Sequence, residues 1–168
     1  MKARSLGFAV ALLIFLADQL AKGFVTGPLA LREVGQIVLL PIFNLTYTEN
    51  NGISLGLFNA TNRWMLVALT AVIAVGVAYW IGREKNRLDQ VALGMVLGGA
   101  LGNILDRVRF GYVVDFADLH FGTFRPFLVF NVGDAAISIG VAILLLRAFL
   151  TRKEQGEGDK PGETIEHA

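Results

Sequence analysis

Polar and apolar positions do not alternate along most of this chain; they separate into long blocks. Apolar residues dominate residues 6–25, 64–81, 88–105 and 132–150. Each block is near the roughly 17–25 residues that a helix needs to cross about 30 Å of hydrocarbon. The pattern therefore predicts four membrane-crossing helices. Two stretches are left outside them, residues 26–62 and 107–131. In the first, "IVLLPIFNLTYT" is rich in β-branched and aromatic residues around Pro41. In the second, "YVVDFADLHF" and "FLVF" flank Gly122 and Pro126. Both predict short strands, a helix packed on the bundle being the other reading of such runs. The expected fold class is an all-α membrane protein, four transmembrane helices with a small β-containing extracytoplasmic part. Residues 1–150 form one membrane domain on this reading, and the charged, Gly-rich, aperiodic residues 151–168 are expected to be a disordered cytoplasmic tail.

Composition agrees with the bilayer as solvent. Of 168 residues, 54% are hydrophobic and 17% charged, with mean hydropathy +0.57, more apolar side chain than one compact core of this size needs. A formal net charge of +1 provides no basic field for nucleic acid. The absence of cysteine removes disulfides, thiolate metal sites and a thiol nucleophile together. Lys2 and Arg4 ahead of the first block suggest a signal peptide, but "ADQLAK" stands where a small-residue cleavage pattern belongs, so an uncleaved helix is expected. Arg83, Lys85 and Arg87 crowd a short turn, whereas residues 26–62 carry Arg32 alone. The positive-inside rule then puts both termini and that turn in the cytoplasm; Arg107, Arg109 and Arg125 in the second outer stretch run against it.

A carboxylate near the centre of a membrane helix costs roughly 2.5–3.5 kcal/mol on insertion scales, so acids kept there need a partner or a task. Asp18, Asp106 and Asp134 lie in or at the end of blocks, with Asp115 in the loop just beyond; on the orientation above, all fall toward the outer face. Each has a plain structural reading. Asp18 and Lys22 have the i, i+4 spacing of a helix ion pair. Asn131 suits an N-cap, with Asp134 in the first turn where the helix dipole favours an acid. Asp106 ends the third helix at the negative pole, where an acid needs compensation, and Arg107 is the nearest candidate. Asp115 by spacing alone reads as a solvated loop acid. Gly94, Gly98 and Gly102 recur at i, i+4 intervals, a face that lets helix backbones approach closely in lipid. Asn103 and Asp106 follow on nearly the same face, so close packing would carry an amide and an acid into the bundle.

Taken in order, "DQLAK", "NLTYTENNGIS", "GGALGNILDR", "GYVVDFAD" and "FNVGDA" resemble the lipoprotein signal peptidases, or signal peptidase II. The resemblance implies a bacterial inner-membrane, multi-pass aspartic endopeptidase without a cofactor or metal. It implies prolipoprotein substrates bearing diacylglyceryl-cysteine, met in membrane lipid and cut on the N-terminal side of that cysteine. It also implies that Asp115 and Asp134 are catalytic, and that Asp18, Lys22, Asn50, Gly52, Asn103, Asp106, Arg107 and Asn131 shape the site and hold substrate. Two positions depart from the family's usual pattern: Gly133 stands where Ala precedes the second acid, and Leu55 where an aromatic follows "NNGIS".

The residues alone are compatible with that chemistry. His120 and His167 are far apart and lack metal-ligand spacing. Ser54 with Lys22 has no context that marks a nucleophile. A pair of carboxylates remains, and two held close in a low-dielectric site cannot both ionise. The competing class is a small transporter or channel component with acids along an ion path, which should place them at several depths. A scaffold with polar helix contacts is the third reading.

Overall fold

The computed structural model describes residues 3–52 and 63–158. Four long helices form the body: α1 (Ala3–Thr26), α3 (Arg63–Arg83), α4 (Arg87–Phe110) and α5 (Val132–Gly158). All four are long and apolar enough to cross a membrane, with spans of 20 to 24 residues, and each contains one of the expected blocks. A single-turn α2 (Leu31–Val34) follows α1. Helix α5 continues to Gly158, so the start of the segment expected to be disordered is helical. Its Arg, Lys, Glu and Gln side chains are good helix formers once a helix is already running. Residues 159–168 lie outside the described residues.

Half of the α4 span is buried inside the bundle, against 11–22% of the other three, so α4 is the central helix. Its glycines explain why. A Cβ at Gly94 or Gly98 would strike the carbonyl oxygens of Gly7 or Ala11 on α1, and one at Gly102 would strike the Asp18 carboxylate. Gly99 meets the Gly133 carbonyl of α5 in the same way. The small-residue face therefore packs backbone against backbone, as its spacing predicts. Outward-facing side chains remain apolar, Leu20, Val72 and Leu145 among them, as lipid contact requires.

One buried amide closes the end of the bundle where α3 turns into α4. Gln90 accepts from the Gly7 amide at 3.1 Å and donates to the Ile81 and Glu84 carbonyls at 2.7 and 2.9 Å. It joins three helices with no net charge. Asn86 caps α4 there, its side chain accepting from the Leu88 amide at 2.8 Å.

At the opposite end α4 stops at Gly111, whose φ of 90° is left-handed, and the chain enters β3 (Val113–Leu119). With β1 (Gln36–Leu40) and β2 (Phe43–Asn50) it forms an antiparallel sheet of order β1-β2-β3. Pro41 lies in the β1–β2 turn, where a missing N–H costs no ladder bond. Val25, Leu31, Phe116 and Ala117 form the core between sheet and helices. Strands thus occupy both stretches between the long helices at this end, although "FLVF" contributes only a bridge between Phe130 and Ala117.

Candidate active site

Asp115 lies on β3 opposite Thr48, just past a register shift in the β2–β3 pairing. Far from being solvated, it is 1% exposed. Its Oδ2 accepts from Asn50 Nδ2 at 2.9 Å and its Oδ1 from Asn131 Nδ2 at 2.6 Å. Asn50 ends β2 and is itself oriented by the Gly52 amide, which donates to its Oδ1 at 2.8 Å. Gly52 is left-handed, at φ 74°, and a Cβ there would run into Leu66 of α3, so this turn needs glycine.

Asp134 occupies the first turn of α5. The Asp134 amide donates to Asn131 Oδ1 at 2.9 Å, and the Asn131 amide donates to Asp134 Oδ2 at 3.3 Å. That reciprocal pair is a capping box, so the structural reading of Asn131 and Asp134 is correct as far as it goes. The same Asn131 side chain also holds Asp115, so one residue starts the helix and bridges the two acids. Asn103 completes the link, donating to Asp134 Oδ1 at 2.8 Å and accepting from Asn131 at 3.2 Å.

Beneath this layer lies a buried ammonium. Lys22 Nζ meets Asp18 Oδ2 at 2.7 Å, Asp106 Oδ2 at 2.8 Å and Asn103 Oδ1 at 3.1 Å. All three of its protons are engaged, and the last fixes which way the Asn103 amide points. The expected Asp18–Lys22 ion pair is present, but it is buried and shared rather than a surface pair. Asp18 also accepts from the Gly133 amide at 2.9 Å, which ties the first turn of α5 to α1 at the position where this chain has glycine.

Arg107 is not the partner of Asp106. Asp106 is compensated by Lys22, by the Val114 amide at 3.1 Å and by Gln19 Nε2 at 3.1 Å. Successive helix residues leave the axis about 100° apart, so Arg107 points elsewhere. Its guanidinium comes near Gly52, its charge acts on Asp134 first, then Asp115 and Asp106, and its buried Nε has no hydrogen-bond partner among the described residues. It borders the acid pair.

Gln19 escaped the sequence reading. It donates to Asp18, to Asp106 and toward the Gly102 carbonyl, and its only sequence signal is a polar residue beside Asp18 inside an apolar block. Of the other positions considered, Ser54, Leu55 and His167 lie outside the described residues. Among those described, no group of three or more His, Asp or Glu is disposed to hold a metal ion.

Burial pushes the Asp115 carboxyl up to about 6; the Asn50 hydrogen bond opposes this, the Asp134 charge adds to it, and Asn131 and Lys22 oppose it again. A cavity of about 390 Å³ opens beside it, lined by Glu49, Asn50, Asn51 and Leu128 among others. Asp115 lines this cavity, and Asn131 and Asn103 tie it to Asp134 on another element; two acids linked in this way can share a proton and activate a water.

Comparison with known proteins follows the same lines. A family profile described as Signal peptidase (SPase) II matches residues 10–150. The lipoprotein signal peptidase of Sphingopyxis alaskensis is 55% identical over 156 residues, covering 91% of this chain and 90% of that protein. That of Rhizorhabdus wittichii is 54% identical over 166 residues, covering 97% and 94%. Among solved structures, a bacterial membrane enzyme determined in meso at 2.3 Å resolution superposes with TM-score 0.76 at 26% identity, covering 95% of this chain and 94% of that one.

Proposed function

The chain belongs to the signal peptidase II family, and from that premise we propose that it is an aspartic endopeptidase using Asp115 and Asp134 on diacylglyceryl-modified prolipoproteins in the bacterial inner membrane. Both termini would be cytoplasmic and the site near the outer face. The observation that carries the mechanism is the shared grip of Asn131 on both acids.

Four carboxylates, Asp18, Asp106, Asp115 and Asp134, stand in one linked set with two cations, Lys22 and Arg107. Lys22 is committed to Asp18 and Asp106. The remaining pair, a buried Asp115 and a half-buried Asp134 both held by Asn131, has Arg107 beside it, and two carboxylates linked this way share one proton. The ionised member takes a proton from water as the oxygen attacks the scissile carbonyl. The protonated member donates toward the developing oxyanion, and a proton then passes to the leaving amine. Asn50, Asn103 and Asn131 hold the carboxyl planes in place.

Acids gathered at one end of the bundle, together with the family relationship, disfavour an ion path. The deciding experiment offers purified protein in detergent a lipidated and an unlipidated prolipoprotein. Cleavage should be confined largely to the lipidated form, because the lipid holds the scissile bond at the depth of the pair, and such positioning supplies several kcal/mol of a barrier. Equal cleavage of both would overturn this account of recognition.

A further inference from the structure

The cavity beside Asp115 is lined by two unlike sets of residues. Residues 48–51, at the end of β2, are all polar, whereas Leu128 and Val129 are apolar. Leu128 is 80% exposed, more than any other large hydrophobic residue among those described. Leu20, Val72 and Leu145 are also exposed, but they lie on long helices whose outer faces meet lipid. Leu128 lies on the segment between β3 and α5, three residues before Asn131, and shares its cavity with a buried carboxylate.

That segment is held on both sides of Leu128. After it, the Phe130 amide donates to the Ala117 carbonyl at 3.0 Å, and the Phe130 carbonyl accepts from the Phe116 and Ala117 amides at 3.1 and 2.8 Å. Before it, Arg125 meets the buried Asp118 carboxylate at 3.3 Å, and Phe121 and Phe124 exchange backbone hydrogen bonds at 2.8 and 3.2 Å. Ala117 and Asp118 belong to β3, so Leu128 is fixed to the strand that carries Asp115. A leucine held in this way gains from any apolar group that covers it.

A cavity of about 390 Å³ is about 7 Å across, which is two residues of extended chain at about 3.4 Å each. In the proposed reaction the residue after the scissile bond is the lipidated cysteine. The side chains left for this cavity are therefore the one or two that precede the bond.

We propose that Leu128 is a specificity-determining residue, packing on an apolar side chain one or two residues before the scissile bond while Thr48 and Asn51 take the substrate's main chain. The inference rests on the peptidase reading, and its test separates the two.

The test is steady-state cleavage in detergent of three lipidated prolipoproteins: a parent with apolar residues at the two positions before the bond, and two forms in which one or the other is Asn. The unsubstituted chain should prefer the parent over at least one Asn form by about tenfold in kcat/KM, the low end of what a hydrophobic wall discriminates. Leu128→Asn should erase that preference, raising KM for the parent about tenfold and leaving kcat within about twofold, as loss of uniform binding does. Leu128→Ala should give an intermediate preference, and Phe124→Ser, on the same segment but outside the cavity, should keep the full one. Leu128 is exposed, so folded yield of its variants should match the parent protein. No preference in the unsubstituted chain, a preference that survives Leu128→Asn, or a fall in kcat alike for all three substrates, the mark of a displaced Asn131, would each overturn the proposal and leave the peptidase reading intact. Failure of the unsubstituted chain to cleave any of the three would overturn both.

Discussion

Both ends of the bundle bury polar side chains inside apolar helices, and they do so in opposite ways. At one end Gln90 is fully enclosed, neutral, and satisfied by a backbone amide and two carbonyls. At the other, Asp18, Lys22, Asp106 and Asp115 are at most 4% exposed and carry formal charges whose sum is negative. An uncharged amide joins helices in lipid with no ionic desolvation. Nothing in helix packing requires three buried acids at one end. The contrast separates polarity that fastens the fold from polarity that helix packing alone does not require.

The largest test of that contrast removes a titrating group at constant side-chain size, at the loss of one accepted hydrogen bond, since both oxygens of each acid face N–H donors. Asp115→Asn and Asp134→Asn should each lower cleavage of a lipidated prolipoprotein on the order of a thousandfold or more, with the double variant hardly worse, because the two act as a unit. Folded yield should fall by no more than the cost of one lost hydrogen bond, about 1–3 kcal/mol, and cleavage is read per folded molecule. Asp118→Asn, three residues from Asp115 on the same strand, alters a buried carboxylate held by Arg125 and Thr46 and can lower stability, but it should keep cleavage per folded molecule within about twofold, because Asp118 is held by neither amide that links the two acids. Substantial activity in Asp134→Asn would return that residue to a capping role alone.

A smaller effect separates the ends by stability. Lys22→Met leaves Asp18 and Asp106 buried without their cation, which should cost about 3–5 kcal/mol, read as a loss of folded protein in thermal scans. Gln90→Leu strands one amide and two carbonyls and should cost about 1–3 kcal/mol while activity per folded molecule survives. If Gln90→Leu abolished specific activity, the assignment of that end to fastening would fail.

The smallest effect concerns pH. Burial raises the Asp115 carboxyl from the ordinary 3.8 to about 6, so the protonated form is held below that range and lost as pH rises through it; its share of stability follows the same direction. Activity should fall on the alkaline side with an apparent value belonging to the pair. The Asn50 hydrogen bond favours the ionised form. Asn50→Leu should therefore move the alkaline limb to higher pH, besides slowing cleavage severalfold. A limb that stays put would show that Asn50 does not tune Asp115.

The membrane body was legible in the sequence because hydropathy needs only local information, and all four blocks became helices. The glycine spacing of α4 predicted its packing for the same reason. What was illegible depends on distance along the chain. Asp106 looked to its neighbour Arg107, whereas its cation comes from Lys22 on another helix. Asp115 read as a solvated loop acid until pairing with β2 and the amide of Asn131 enclosed it. Gln19 and Gln90 gave almost no signal, since a neutral amide in an apolar block carries none of the cost that marks an acid.

The capping box at the start of α5 bears on biosynthesis. Asn131 and Asp134 open a helix that leaves the ribosome after Asp115, Asn103 and Lys22. The bridge between the two acids therefore cannot form until α5 has been threaded and its first turn wound. A nascent chain halted after β3 holds Asp115 without Asp134. With the mechanism proposed above, proteolytic competence arrives only once α5 has been inserted.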